Sequence, residues 1–402
     1  MLTPPFRLFA IVPPGLEALA RAELAPRVSG LMRVRGGLSV ESDWRGLMDL
    51  HLHSRIASRI LLRIGRFRAR ALGELERKAG EIPWEAFIPT ERLQPGHPPI
   101  AIDVATSRSR LYHEGAVRER IQRAMGTSGE GEPESEPWRL QVRVHRDQVT
   151  LSLDATGDHL HRRGYRRHVG SAPMRETLAA ATLLGSGWQP DTSLVDPFAG
   201  SGTIPIEAAL LARRIPPALA GRDREPRDFP FRHWEGFPAS EWTEAVGEAR
   251  AGILHRAPAP IHASDRDGRV LDALMENARA AGVEEDLSVA EATVTRAPFP
   301  AEPGWIVTNP PYGGRLGDRR KLQPLYRALG RELAEGWNAW GWGAPVSDPA
   351  LVAILQREVT RRKGRPLETG LQFRNGGILV TLLHRSRAAG DSPPPPDLPS
   401  DP

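Results

Sequence analysis

A strand that ends in a glycine-rich turn and opens straight into a helix is the strongest constraint in this sequence. Ser193-Leu194-Val195 is apolar, Asp196-Pro197 ends the run, and Gly200-Ser201-Gly202 leads into a helical pattern over 203–213. A buried parallel strand needs such an apolar run, and its crossover needs a helix. The alternation continues with strand 261–263, helix 269–281, strands 287–289 and 305–308, and helix 322–335. This spacing predicts a parallel, doubly wound α/β sheet. Segments 371–373 and 378–383, joined by Arg374-Asn375-Gly376-Gly377, read as a closing antiparallel hairpin.

The first 154 residues follow a different pattern. Strand 6–12, helix 16–24 and strand 37–41 come first, then an expected helix 47–62 with Arg55, Arg59 and Arg63 along one face. Helix 72–80, strand 100–105, helix 114–125 and a hairpin, 140–144 with 148–153, follow. This is an α+β beginning. Segment 126–137 is acidic and rich in Gly, Ser and Pro, a mobile loop by composition. A proline- and tryptophan-rich insertion occupies 215–242.

The glycine turn limits the ligand. A dinucleotide site wants a third glycine, but Pro205 follows Ile204, and no Gly-Lys-Ser/Thr phosphate loop occurs. An adenosyl cofactor fits better. Asp196, Phe198, Gly200, Ser201, Gly202 and Thr203 form the expected cradle, the glycines letting the backbone come close where a Cβ would clash. Free N–H groups at the start of the following helix suit a carboxylate. Asp265, at the end of the second strand, is placed to accept from ribose hydroxyls; Asp267 can cap the next helix instead. Glu291, after the third strand, can accept from the adenine amino group.

Asn309-Pro310-Pro311-Tyr312 follows the apolar strand Trp305-Ile306-Val307, at a carboxyl edge where open α/β sheets bind ligands. A nucleobase amino group is a poor nucleophile because its lone pair is delocalised into the ring. The Asn309 side-chain oxygen and the Pro310 carbonyl can each accept one of its N–H groups, aiming the lone pair at an electrophilic methyl. The prolines restrict the turn, and Tyr312 can stack on an extruded base. The pair of motifs points to S-adenosylmethionine (SAM)-dependent methylation of an amino nitrogen.

Composition agrees and excludes little else. The 402 residues carry a formal charge of +5 and no cysteine, which removes disulfides and thiolate metal sites, and no metal is expected. No apolar run reaches membrane length and the N-terminus lacks a signal-peptide pattern, so a cytoplasmic protein without membrane contact is the expectation. A sequence pI near 10.0 tilts the chain toward polyanions.

Two further stretches carry a resemblance. Leu160-His161-Arg162-Arg163-Gly164-Tyr165-Arg166, followed by Ala172-Pro173-Met174-Arg175-Glu176-Thr177-Leu178-Ala179, is similar to the domain junction of bacterial THUMP-domain RNA methyltransferases. Phe9-Ala10 through Gly15-Leu16-Glu17 to Glu23-Leu24 looks like their opening strand and helix. Over 6–385 the chain resembles the large-subunit (23S) rRNA guanine-N2 methyltransferase group. The resemblance implies a ferredoxin-like region (1–50), a THUMP RNA-binding domain (51–158), a Rossmann-like class I methyltransferase domain (159–386) and a disordered tail (387–402). It implies that Asp196, Gly200 and Gly202 line the SAM site and that 309–312 hold the target amine. The chain departs from that group in having Gly314 before Arg315, Glu291 in place of the usual aspartate, and no second methyltransferase module, so one methylation activity is expected.

The partner is then RNA. Arg162, Arg163, Arg166 and Arg167 around Tyr165 combine phosphate-pairing and stacking groups. Arginines at 55–70 and Arg361, Arg362, Lys363 and Arg365 form further clusters. A tRNA acceptor stem is the alternative substrate. A non-catalytic RNA-binding assembly factor is the alternative from another class, and an adenine-N6 DNA methylase or a nicotinamide dehydrogenase fits less well.

Overall fold

The computed structural model describes residues 3–93, 100–126, 138–168, 174–311, 319–375 and 377–388. Tyr312, the 127–137 part of the expected loop and the 389–402 part of the expected tail lie outside them.

The N-terminal half contains β1 (Phe6–Ile11), α1 (Glu17–Leu24), β2 (Met32–Val34), β3 (Gly37–Ser42), α2 (Trp44–His53) and β4 (Arg59–Arg68). After them come α3 (Leu72–Gly80), β5 (Ala101–Ser107), α4 (Glu114–Ala124), β6 (Arg139–His145) and β7 (Gln148–Asp154). Their seven strands form one sheet in the order β2-β3-β1-β4-β7-β6-β5. Thus β1 and β4 pair directly, and a single sheet runs through the regions expected as ferredoxin-like and THUMP. Period-two alternation fixes its faces. On β6 Leu140, Val142 and Val144 are buried toward the core, while Gln141, Arg143 and His145 point the other way.

The expected helix over 47–62 is corrected. It stops at Ser54, whose backbone turns extended and whose hydroxyl accepts from the Ala57 N–H at 3.1 Å. Residues 59–68 are instead the strand that joins β1 to β7. An apolar Ile60-Leu61-Leu62 run fits either periodicity, and the unpaired edges of two neighbouring strands decide it. Arg55, Arg59 and Arg63 therefore share no helix face. Arg55 sits in the turn with Nη2 donating to the Ile215 carbonyl at 2.7 Å, and Arg59 pairs with the buried Asp154.

The second half contains α5 (Glu176–Ser186), β8 (Leu194–Asp196), α6 (Thr203–Ala212), α7 (Ala239–Ala251), β9 (Ile261–Asp265), α8 (Gly268–Ala281) and β10 (Leu287–Glu291). Then come β11 (Trp305–Val307), α9 (Arg319–Ala334), β12 (Gly341–Val346), α10 (Pro349–Arg361), β13 (Glu368–Asn375) and β14 (Ile378–Arg385). The sheet order is β10-β9-β8-β11-β12-β14-β13, parallel from β10 to β12 with the β13–β14 hairpin antiparallel at one edge. Strand order reverses between β8 and β11, which opens a crevice at their carboxyl ends.

Strands β2 and β12 and helices α7 and α10 were not apparent in the sequence. The run Gly341-Trp342-Gly343-Ala344-Pro345-Val346 carries residues that disfavour strands, yet all six are buried between β11 and β14.

The proline- and tryptophan-rich insertion joins the halves. Phe229 and Phe231 lie 4.9 and 4.6 Å from the His51 ring, and Trp234 lies 6.5 Å from Trp44, both on α2. Burial in this cluster pulls the His51 pKa down to about 3, so the ring packs there neutral. Arg45 on α2 adds an ion pair to Glu248 on α7 at 2.5 Å.

Candidate active site

β8 and β11 lie side by side, Leu194 opposite Trp305 and Val195 opposite Ile306. The turns that follow them, 196–202 and 308–311, therefore emerge at the same sheet edge. A buried hydrogen bond locks them together: the Thr308 hydroxyl donates to Asp196 Oδ1 at 2.6 Å. The same oxygen accepts from the Phe198 N–H at 3.1 Å. Asp196 is only 1% exposed, and burial pushes its pKa up to about 7, with the nearby Asp265 charge adding to the rise. Asp196 supports the cradle from below rather than lining an open wall.

The glycines divide the work differently from expectation. Gly202 takes φ +89° at the N-cap of α6, and a Cβ there would stand 2.6 Å from Leu274 Cγ on α8. Its demand is close helix packing. Gly200 has φ +50°, and a Cβ added there meets open space within 4 Å. Of the two glycines, Gly200 is the one that leaves open space beside the loop. Ser201 and Thr203 are nearly buried, the Ser201 carbonyl accepting from Asn277 Nδ2 at 3.0 Å and Thr203 Oγ1 from Arg166 at 3.2 Å.

Asp265 ends β9 with Oδ2 accepting from the Gly200 N–H at 3.0 Å and Oδ1 from the Asp267 N–H at 3.2 Å. Each oxygen keeps a lone pair for a further donor. The helix-capping role belongs to Asp267, which accepts from the Arg269 N–H at 3.1 Å. Glu291 stands opposite Asp265 on the neighbouring strand β10, and its carboxylate lies over Gly268. Asp265, Glu291 and Gly200 thus border one edge of the crevice.

Asn309 stands at the end of β11. Its Oδ1 is buried and, among the described residues, accepts no hydrogen bond. A buried carbonyl without a donor costs on the order of 1–3 kcal/mol, so Asn309 Oδ1 is an acceptor with capacity for a further N–H at this end of the sheet. Pro310, next in the chain, is buried and Pro311 half-buried.

The junction cluster is corrected in part. Arg163 is buried, its Nη1 and Nη2 donating to the carbonyls of Leu160 at 2.6 Å and Arg55 at 2.7 Å, 3.5 Å from Glu207. Tyr165 is 1% exposed and donates its hydroxyl to Glu207 at 3.1 Å. Arg166 is tied to Glu176 at 2.9 Å and to the Met174 carbonyl at 2.7 Å. Arg163 ties α6 to the N-terminal half and, with Tyr165, is buried away from any ligand, while Arg166 is held against α5 and α6 and stays only partly exposed. Arg162 and Arg167 are exposed, Arg162 paired with Asp158 at 3.0 Å.

Two further residues position the turns. Thr308 immediately precedes the Asn-Pro-Pro turn, where a hydroxyl amid apolar strand residues was the available signal. Asn277 lies on the buried face of α8, where its amide binds the Ser201 carbonyl and, through Oδ1, the Arg167 and His168 N–H groups at 2.7 and 3.0 Å. A polar amide in register with Leu274, Ala278 and Ala281 was its signal. No group of side chains suited to a metal ion occurs among the described residues, and no helix there is long and apolar enough to cross a membrane.

Comparison with known proteins agrees with this architecture. Residues 163–366 match the RMKL-like methyltransferase domain and residues 7–61 the RlmL ferredoxin-like domain. The ribosomal RNA large subunit methyltransferase K/L of Syntrophotalea carbinolica (strain DSM 2380 / NBRC 103641 / GraBd1) is 36% identical over 372 residues. That match takes in 86% of this chain but half of the length of that relative. The Bacillus subtilis (strain 168) protein named "Putative RNA methyltransferase YpsC" is 32% identical over 361 residues, 89% of this chain and 92% of its own. The crystal structure of SMU.472 complexed with SAH superposes with a TM-score of 0.82 at 26% identity, covering 97% of this chain and all of that one. The chain belongs to the RMKL-like methyltransferase family.

Proposed function

We propose that this chain transfers the methyl group of SAM to N2 of a guanine in RNA, and that the RNA is 23S rRNA. The observation that carries the reading is the buried Asn309 Oδ1, without a hydrogen-bond donor among the described residues, in the turn after β11 and beside the glycine turn of β8. The names of its relatives, RNA methyltransferases and a large-subunit enzyme among them, support the choice of RNA and of rRNA. The bound SAH of SMU.472 supports the cofactor.

When bound, SAM supplies an electrophilic methyl on a sulfonium. The residues present fit it. The Asp265 carboxylate would accept from its ribose hydroxyls, the first N–H groups of α6 would take its methionine carboxylate, and the open space at Gly200 would admit it. Glu291 serves the adenine edge. On the other side Asn309 Oδ1 and the Pro310 carbonyl each accept one N–H of the guanine amino group, and Tyr312 stacks on the extruded base. Bound there, SAM would give up its methyl to the held nitrogen and leave as the neutral thioether, and the guanine amino group would lose one N–H proton to solvent. The step needs alignment more than acid–base chemistry. Exposed Arg162 and Arg167 contribute phosphate contacts near the junction, and a ferredoxin-like and THUMP pair sharing one sheet presents the RNA.

Mass-spectrometric mapping of modified nucleosides in cells with and without the gene tests this. The expected result is loss of one N2-methylguanosine from 23S rRNA. Loss from a tRNA acceptor stem instead would move the substrate, and unchanged rRNA and tRNA would refute the reading.

A further inference from the structure

Among the described residues no helix lines one face of the N-terminal sheet. Across β1, β4, β7 and β6 it forms a trough of about 610 Å³ floored by Gln141, Gln148, Thr150 and Ser152. Six arginines line it: Arg35, Arg63, Arg66, Arg68, Arg143 and Arg146. No aspartate or glutamate lines it among the described residues.

What separates these arginines from their neighbours is the lack of partners. Just outside the trough Arg7 pairs with Glu41 at 3.2 Å, Arg70 with Asp147 at 3.2 Å and Arg139 with Asp103 at 2.7 Å. Within it none of the six forms an ion pair among the described residues. Arg63 lies over the Phe9 ring at 4.3 Å with its Nε buried and unbonded. Burial, then the neighbouring Arg66 and Arg143 charges, lower its pKa from the ordinary value. Like charges gathered without counter-charges are costly unless an external polyanion neutralises them.

We propose that this trough binds the phosphodiester backbone of the RNA substrate, independently of its sequence. The proposal rests on the RNA reading above. The lining favours the backbone over the bases: six arginines face a single shielded phenyl ring, Phe9, 7% exposed beneath Arg63, and His145 is the only other ring among the lining residues. Four strands at about 4.8 Å spacing make the trough roughly 14 Å across, room for one RNA strand. Because β1 and β4 pair, both parts of the N-terminal half build this surface together.

The test uses the full chain and an end-labelled, mixed-sequence RNA of about 20 nucleotides, titrated by fluorescence anisotropy at several salt concentrations. The triple variant R66A/R68A/R143A removes three exposed charges. It should bind at least about tenfold more weakly, and the slope of log affinity against log salt should fall by about 2. R66K/R68K/R143K should restore most of that slope. R77A/R123A, which alters paired arginines on α3 and α4, should match wild type, and all variants should unfold within about 2 °C of it. An unchanged slope in the alanine variant overturns the trough as the binding surface while leaving RNA methylation standing. Wild-type protein that binds no RNA at any salt concentration overturns both.

Discussion

The Thr308 hydroxyl donates to Asp196 Oδ1 at 2.6 Å, joining the turn that holds Asn309 to the turn that holds Gly200. Both groups are buried, so the bond is shielded from water and fixes the spacing between the two halves of the crevice. Thr308→Val removes the donor and leaves Asp196 with one hydrogen bond from Phe198. Urea unfolding should show a loss of about 1–3 kcal/mol. Transfer should slow by roughly 10- to 100-fold through misplacement of the amine acceptors. A variant with wild-type stability and rate would show that the link does not set the geometry.

Asp196 also makes stability depend on pH. Its folded pKa of about 7 lies above the ordinary 3.8, so its contribution is complete below that ordinary value and is lost as pH rises through about 7. Glu23, raised by burial from 4.5 to about 7, acts in the same direction. Asp196→Asn keeps an oxygen for Thr308 and Phe198 but cannot ionise. Between pH about 5 and about 8 the variant should lose less stability than wild type, by on the order of 2–4 kcal/mol, as read by denaturant unfolding at both pH values. An identical loss in both proteins would mean that Asp196 does not titrate in that range.

The two glycines of the turn after β8, proposed to hold SAM, should respond differently to alanine. At Gly202 a Cβ meets Leu274 at 2.6 Å as well as an unfavourable φ, so G202A should cost several kcal/mol, about 3 or more. At Gly200 nothing blocks the methyl, so the stability cost should stay near 1 kcal/mol while SAM affinity drops. Calorimetric titration with SAM beside thermal unfolding separates the two. G200A with full SAM affinity would place the cofactor elsewhere.

Much of the catalytic half could be read in advance because its signals are local. An apolar strand, a glycine turn, Asp265 at the end of one strand and Asn309 just after another are short patterns whose geometry depends little on distant contacts. The misreadings came where distant residues decide. The 59–68 strand owes its form to β1 and β7 on either side. Arg163, Tyr165 and Arg166 look like a nucleic-acid patch in one dimension, yet Glu207 and Glu176, brought in by α6 and α5, turn them inward. β12 escaped notice because Gly341, Gly343 and Pro345 disfavour a strand that its two neighbours nevertheless impose. The basic trough was legible only in part: Arg63, Arg66 and Arg68 stand close together in the chain, but the other arginines come from a second strand and two turns, separated by about a hundred residues of chain.

The account turns on Asn309 Oδ1 as an acceptor for the target amine. Single-turnover methyl transfer by Asn309→Ala, measured beside its SAM affinity, tests this most directly. SAM binding should stay within about threefold of wild type while the transfer rate falls by roughly 10²- to 10³-fold, the usual cost of removing one preorganised transition-state contact. Transfer at the wild-type rate with SAM bound normally would contradict it.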